Sequence, residues 1–166
     1  MLTMALERFL DAQDATYASA LSELRRGQKE THWIWFVLPQ LRGLGSSSMA
    51  ERFGLEGIEE ARHYLRNPLL RTRLCEVVAV VRDQLCGRSN SVVTLMGSFT
   101  DARKLVSSLT LFEHVAREMD VRQPDERLSG LAEDASAILD SAAAQSFERC
   151  RFTLGRIAVE RERLGA

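Results

Sequence analysis

The sequence predicts an all-α protein: a single compact domain in which short and long helices precede C-terminal amphipathic helices. Apolar residues recur at steps of three and four along most of the chain, which is the period of a helix with one buried face. Serine, asparagine and proline stand where helices would begin, and glycine stands where they would end. No alternation of apolar and polar residues is long enough to require a sheet.

The first helix follows from an apolar stripe over residues 6 to 24, and Gly27 is well suited to the left-handed residue that closes it. The next apolar run, residues 33 to 38, is short and unbroken, so periodicity does not distinguish a buried strand from a short buried helix. Pro39 disfavours helical geometry at Leu38, and regular structure is expected to stop there.

The middle of the chain carries clear helix-start signals. Ser48 followed by Glu51 predicts a capping box that starts a short helix, which Gly54 ends. Asn67 before Pro68 predicts a capped start for a long helix. Apolar spacing predicts further helices through 58–65, 70–85 and, capped by Thr100 or Ser98, through 105–115, with a short segment over 92–96 that stops at Gly97.

The last part of the chain has a narrower apolar stripe. Pro124 breaks a polar link, and beyond it the spacing is heptad-like, which predicts one long or two consecutive amphipathic helices. We treat residues 124–163 as a C-terminal helical extension of one domain that spans residues 1–166. These helices are candidates for a homodimer contact or for a cover over a site.

Composition excludes several classes of protein. The chain has 166 residues, of which 45% are apolar and 27% charged, with a formal net charge of −1. This balance gives no reason to expect nucleic acid or an anionic membrane as partner. No apolar run reaches the length of about eighteen residues that a spanning helix needs, and the N-terminus does not resemble a secretory signal. The three cysteines match no zinc spacing, so we expect reduced thiols, no metal or cofactor, and a cytoplasmic protein.

The stretch "GQKETHWIWFVLPQLRGLGSSS", residues 27 to 48, is the first candidate site. Its glycines let backbone N–H groups converge, and the following helix start adds partial positive charge, so the loop could hold an anion. The glycine spacing matches neither the dinucleotide fingerprint nor a P-loop. The candidate ligand-binding residues here are Trp33, Trp35, Gln40, Arg42, Gly45, Ser46 and Ser47, and His32 is a candidate for proton transfer.

Each of these residues also has a structural explanation. Tryptophans within an apolar run are more often core than ligand platform, and His32 could simply satisfy backbone groups. Ser46 and Ser47 could be ordinary loop residues. Both interpretations stay open at the level of sequence.

A second polar cluster lies in "GSFTDARKLVSSLTLF", residues 97 to 112. Asp101, Lys104 and Ser108 are spaced three and four apart and share one helical face, with Ser107 at its edge. One interpretation is an exposed ion pair with solvated hydroxyls. The other is a polar cavity, because adjacent serines in an apolar helix compete with its backbone. In that case Lys104, Ser107 and Ser108 would bind ligand and Asp101 would move a proton.

The segments "HWIWF", "PQLRGLGSS" and "DARKLVSSLTLF" resemble motifs of a bacterial family of small proteins catalogued as domain of unknown function 1810. The resemblance covers roughly residues 6 to 115 and stops at about residue 117. It implies an all-helical fold, favours a short buried helix over residues 31 to 38, and implies that the two candidate stretches meet in space. It implies no activity. Some members carry a label relating them to calpastatin, and nothing in this sequence supports protease inhibition.

Two hypotheses follow. The first is a pocket for a small polar or anionic ligand, extended to a hydrolase or glycosidase of nucleotide-like or sugar-phosphate metabolites. The second is a non-enzymatic interaction or dimerisation module with a structural His-Trp segment. They differ in one expectation: in the first, His32, Arg42, Asp101 and Lys104 line one cavity.

Overall fold

The computed structural model describes residues 2–165, with side chains from Ala5 to Gly165. Within that range the chain forms helices and no strand, which confirms the predicted all-α class. A π-helical turn, Asp83–Gly87, follows the fifth helix. The helices are α1 (Leu2–Arg26), α2 (Ile34–Val37), α3 (Ser48–Phe53), α4 (Ile58–Arg66), α5 (Pro68–Arg82), α6 (Val92–Met96), α7 (Phe99–Arg122), α8 (Glu126–Ala144) and α9 (Arg151–Leu164).

Most helix ends follow the signals in the sequence. Gly27 closes α1 with φ of +89°, a conformation that costs glycine little. The Asn67 side chain accepts from the backbone N–H groups of Leu69 and Leu70, both at 3.1 Å, and Pro68 is the first residue of α5. The alternatives left open for residues 33 to 38 resolve to the short helix α2.

The start of α3 differs from the prediction by one residue. Ser47 is the cap, since its Oγ accepts from Ala50 N at 3.1 Å. Its backbone is extended, with ψ of 157°, whereas Ser48 is already helical. The predicted Ser48–Glu51 capping box is therefore wrong, because either serine can serve as the cap residue and only the backbone dihedrals distinguish them.

The helix α7 runs further than its apolar stripe, to Arg122 instead of Val115. Its polar last turns are supported by ion pairs along the helix, including Arg122 to Glu118 at 2.7 Å. Of the two predicted caps, Ser98 is the one used, accepting from Asp101 N at 3.0 Å.

The core is built around α7, which packs against α8, α4 and α6. Aromatic rings link α1, α4 and α7: Phe9 meets Tyr64, and Tyr64 meets Phe112, each pair with centroids 5.3 Å apart. These rings are fully buried, so they supply much of the apolar burial that holds the three helices together.

The C-terminal extension forms two helices, α8 and α9. The buried face of α8, including Ala135, Ile138 and Ala142, packs against α7 and α5. The small side chains at two of these positions allow close approach of the helix backbones. The helix α9 lies on α7 with Thr153 and Ile157 buried, and most of its surface is exposed.

Two features are absent from residues 2–165. None of the helices there is long and apolar enough to cross a membrane. No group of three or more His, Cys, Asp or Glu side chains within the described range has an arrangement that could hold a metal ion.

Candidate functional site

A cleft of about 780 Å³ lies beside the first half of α7, and we call it the α7 cleft. Three pieces of chain form its walls: the segment from Trp35 to Ala50, residues 99–107 of α7, and the 146–151 link between α8 and α9. Seven of the residues predicted for ligand binding line it: Trp35, Gln40, Gly45, Ser46, Ser47, Lys104 and Ser107.

One face of α7 forms the floor of the cleft. Four lining residues of α7 are spaced three, one and three positions apart, so their side chains lie on one side of the helix: Thr100, Arg103, Lys104 and Ser107. Ser107 Oγ donates to Arg103 O at 3.0 Å. Ser108, which was predicted to share this face, is instead fully buried, and its hydroxyl has no hydrogen-bond partner among the described residues.

The opposite wall is a loop with one left-handed turn. Gly43 has φ of +102°, and a Cβ at this position would lie 3.0 Å from the Phe152 ring of α9. Leu41 and Leu55 form an isolated parallel bridge, in which Leu55 N donates to Gln40 O at 2.9 Å. This bridge fixes the backbone of Gln40 at the edge of the cleft.

The Gln40 side chain is the strongest sign of a ligand site. It is only 8% exposed and lines the cleft, yet its amide makes no hydrogen bond with any other residue of the described chain. The amide atoms themselves are not buried, so they open to the cleft, where a bound molecule can pair with them.

The two tryptophans have different roles. Trp33 is 1% exposed, and its indole N–H donates to Glu23 at 2.8 Å, so Trp33 is a core residue outside the cleft. Trp35 is half-buried and lines the cleft, with Lys104 Nζ 4.2 Å from its ring centroid. The cation over the ring face fixes both side chains in the cleft wall.

Asp101 is held in an ion-pair cluster. Lys29 Nζ lies 2.7 Å from one carboxylate oxygen and Lys104 Nζ lies 3.3 Å from the other. Lys29 is itself buried and also donates to Thr31 O at 2.6 Å. These contacts join the stretch after α1 to the start of α7, so the two candidate stretches do meet in space. Asp101 is not among the residues that line the cleft.

Two further predicted residues lie elsewhere. His32 is exposed and does not line the α7 cleft. Arg42 is on the outer side of the loop, where it pairs with Glu56 and donates to Glu51 O at 3.0 Å. Of the four residues expected in one cavity, only Lys104 lines the cleft. The specific grouping of His32, Arg42, Asp101 and Lys104 is therefore absent, although a cavity is present.

The sequence interpretation missed three cationic residues of the cleft. Arg103, Arg149 and Arg151 line the cleft beside Lys104, against the carboxylate of Glu148. Arg149 is bound to Glu113 at 3.2 Å and to Asp140 at 3.1 Å. Hydrogen bonds to Glu113 raise the pKa of Arg149 above its usual range, which keeps it charged.

Arg103 and Arg151 have no carboxylate within ion-pair distance in the described range, so they supply the free positive charge of the cleft. Arg103 lies over the Phe99 ring, with its guanidinium carbon 4.9 Å from the centroid. The "ERCRF" run that contains Arg151 was visible in the sequence, but nothing local indicated that it would face α7.

A smaller depression between α4, α5 and the end of α7 is also rich in arginine. Its volume is about 310 Å³, and Arg62 and Arg71 contribute to its wall. Arg62 pairs with Glu118 at 2.8 Å and Arg71 with Asp125 at 2.9 Å. Because acids within the depression already neutralise these cations, we prefer the α7 cleft as the candidate site.

Comparison with known proteins identifies a family. The family described as "Protein of unknown function (DUF1810)" matches residues 3–130. The chain belongs to this family. The family description names no activity. The match also includes the first residues of α8, further along the chain than the resemblance seen in the sequence.

A solved relative has the same fold. The chain is similar to the conserved hypothetical protein Rv1873 from Mycobacterium tuberculosis, whose crystal structure was determined at 1.38 Å. The two are 39% identical, with a TM-score of 0.74, over 90% of this chain and 94% of that one. A comparison with curated proteins gives no match.

Proposed function

We propose that the α7 cleft binds a small molecule that carries an anionic group. The observation that carries the proposal is the Gln40 amide, nearly buried at the cleft wall and without a partner in the described chain. Such an amide can accept from and donate to a ligand, and those hydrogen bonds replace the ones that it makes with water in the open cleft.

Charge determines the kind of ligand. Arg103 and Arg151 have no carboxylate of residues 5–165 within ion-pair distance, although Glu148 lines the same cleft, and Lys104 adds a third cation that Asp101 partly offsets. Guanidinium groups bind carboxylate and phosphate in a bidentate manner. The hydroxyls of Ser46, Ser47 and Ser107 add neutral donors, so a phosphate ester or carboxylate of metabolite size suits the cleft.

Trp35 favours a ligand that also has an apolar or ring portion. The indole is half-buried, and the lining nearby includes Leu44, Phe99 and Phe147. Such mixed walls are typical of small-molecule sites, in which a few polar groups orient the ligand. A nucleotide or sugar-phosphate derivative combines the two features.

We propose ligand binding at this cleft and no catalytic reaction. The two residues expected to move protons, His32 and Asp101, do not line the cleft. The acidic residue that does line it is Glu148, which is exposed. The geometry thus offers no support for the hydrolase or glycosidase chemistry considered from the sequence.

Thermal unfolding in the presence of inorganic phosphate, AMP and ribose 5-phosphate tests the proposal. A ligand at a hundred times its Kd stabilises the folded state by about 2.7 kcal/mol. We expect one or more of these compounds to raise the unfolding midpoint of the wild type, and Arg103→Gln to remove most of the rise.

Arg88→Gln is the matched control, because Arg88 is exposed and lies outside the cleft. It should leave the ligand response unchanged. Equal responses in the two variants, or no response of the wild type to any of the three compounds, would contradict anion binding in the α7 cleft.

The alternative is an interaction module, and one observation favours it. The helix α9 exposes Leu154, Val159 and Leu164, at 44%, 55% and 63%, which is an apolar surface that a second copy of the chain could cover. If ligand responses are absent and the protein sediments as a dimer, the dimerisation module becomes the better hypothesis.

A further inference from the structure

We propose that Lys104 makes the α7 cleft selective for molecules that carry a ring and an anionic group together. The Lys104 ammonium covers the indole ring of Trp35. The anionic group of a ligand draws the ammonium away, and the ring of the same ligand then stacks on Trp35. This inference rests on the anion binding proposed above and adds the property by which the cleft selects among ligands.

The Lys104 ammonium occupies space that a stacked ligand ring needs. Its Nζ lies over the Trp35 ring, 4.2 Å from the centroid, and both side chains line the cleft. The indole is half-buried and packs against the core with part of its surface. Stacked aromatic rings have centroids about 4.5 to 7 Å apart, so a ligand ring and the ammonium cannot occupy this place together.

The contacts that hold Lys104 are weak ones for a charged group. Its Nζ lies 3.3 Å from a carboxylate oxygen of Asp101, and the Lys104 side chain is 20% exposed. Ion pairs and cation–π contacts at solvent-accessible positions each contribute little. A phosphate or carboxylate group forms charge-assisted hydrogen bonds with an ammonium, and Arg103 and Arg151 attract such a group into the same cleft. A ligand anion therefore competes for Lys104, whereas a neutral ring offers it no new partner.

Lys29 keeps Asp101 paired when Lys104 moves. The Lys29 Nζ lies 2.7 Å from the second carboxylate oxygen of Asp101, and the Lys29 side chain is 5% exposed. Its hydrogen bond to Thr31 O at 2.6 Å holds it in place. Removing the partner of a buried charge is costly, but Asp101 retains this second cation. The movement of Lys104 therefore leaves no isolated carboxylate.

Arg151 is the matched comparison for Lys104. It lines the same cleft and is exposed, and it is not among the cations that lie over an aromatic ring in the described range. Arg151→Gln removes one positive charge from the cleft and uncovers no ring. Lys104→Ala removes the same charge and uncovers Trp35, and alanine is favourable within a helix.

Isothermal titration calorimetry with AMP, adenosine and inorganic phosphate tests the proposal. We expect the wild type to bind AMP at least about tenfold more tightly than adenosine, because adenosine lacks the charge that displaces Lys104. In Lys104→Ala the Kd of AMP should rise, while the Kd of adenosine should fall at least about threefold, since no cation covers the ring. Arg151→Gln should weaken the binding of AMP and phosphate and leave the Kd of adenosine unchanged.

The outcomes separate this proposal from the one on which it rests. If neither AMP nor phosphate binds the wild type, anion binding in the cleft fails, and the selective role of Lys104 fails with it. If AMP binds the wild type but Lys104→Ala leaves the Kd of adenosine unchanged, only the role of Lys104 is overturned. An equal gain of adenosine binding in Arg151→Gln would overturn it too, because loss of charge alone would then explain the effect.

Trp35→Leu tests the stacking partner by a second route. Leucine keeps an apolar side chain against the core and removes the ring, and circular dichroism would show that the fold persists. AMP should then bind with nearly the affinity of phosphate, and phosphate binding should persist, because stacking on an aromatic side chain contributes to the binding of a base. Wild-type affinity for AMP in this variant would show that the base does not lie on Trp35 and would contradict the proposal.

Discussion

At the scale of single residues, Glu23 explains the most unusual stretch of the sequence. Its carboxylate is 4% exposed and accepts from Glu30 N at 2.8 Å, from Thr31 N at 3.1 Å, from the Thr31 hydroxyl at 2.5 Å and from the Trp33 indole at 2.8 Å. One acid at the end of α1 thus organises the loop that follows, and this accounts for the polar residues before the tryptophans without a ligand.

Glu23→Gln should destabilise the fold in a pH-dependent manner. Burial acts to raise the pKa of Glu23, but the hydrogen bonds from Thr31, Glu30 and Trp33 lower it to about 2, against 4.5 when unfolded. The stabilisation, on the order of 3 kcal/mol, is present above pH 4.5 and is lost as the pH falls through about 2. Urea unfolding at several pH values would measure the difference from wild type.

The control is Glu133→Gln, because Glu133 is exposed and forms no ion pair in the described chain. Its effect on the free energy of unfolding should be small at every pH. If the cost of Glu23→Gln stays constant between pH 7 and pH 3, the carboxylate is not the source of the stabilisation.

At the scale of helices, α9 is attached mainly by its first turns and by one ion-pair cluster. Arg62 of α4 is nearly buried, and it binds Glu118 of α7 at 2.8 Å and Glu160 of α9 at 3.0 Å. Burial lowers the pKa of Arg62, but the hydrogen bonds to Glu118 and Glu59 raise it further, so the net direction is upward and the cation is permanent. The cluster holds the second half of an otherwise exposed helix.

Glu160→Gln should loosen that half of α9 without unfolding the protein. Arg62 keeps Glu118 and Glu59 as partners, so the cost should be about 1 kcal/mol. Amide hydrogen exchange in the second half of α9 should then be about fivefold faster, with α7 unchanged. Glu162→Gln, an exposed residue without an ion pair in the described range, serves as the control. Faster exchange throughout α7 and α9 would indicate a global effect instead.

At the scale of the whole molecule, the C-terminal extension and the N-terminal part share one core. Ile138 of α8 is fully buried where α8 meets α5 and α7, while both tryptophans lie in the 33–35 segment, about a hundred residues earlier in the chain. A separate C-terminal domain would unfold without disturbing the tryptophans.

Ile138→Ala should therefore lower the urea midpoints of tryptophan fluorescence and of circular dichroism together. The expected loss is about 2 to 5 kcal/mol, as for other large-to-small changes in a core. Val121→Ala, at a side chain that is 84% exposed, should change neither midpoint. Two separate transitions in the Ile138 variant would contradict the single domain that the sequence predicts.

The sequence by itself determined the helical class, the starts and ends of most helices and one wall of the cleft. These features depend on neighbours along the chain, such as Asn67 before Pro68 or the consecutive Gly45, Ser46 and Ser47 of the loop. A wrong detail such as the Ser48 cap arose where adjacent residues satisfied the same local rule.

Only the tertiary structure decided which polar residues face one another. Trp33 and Trp35 are two positions apart, yet one contacts Glu23 in the core and the other faces the cleft, because their directions depend on packing against α1 and α7. The second wall, with Cys150 and Arg151, comes from more than forty residues beyond Lys104 along the chain. Contacts of that separation are set by how α8 and α9 fold back onto α7, and no local period in the sequence encodes them.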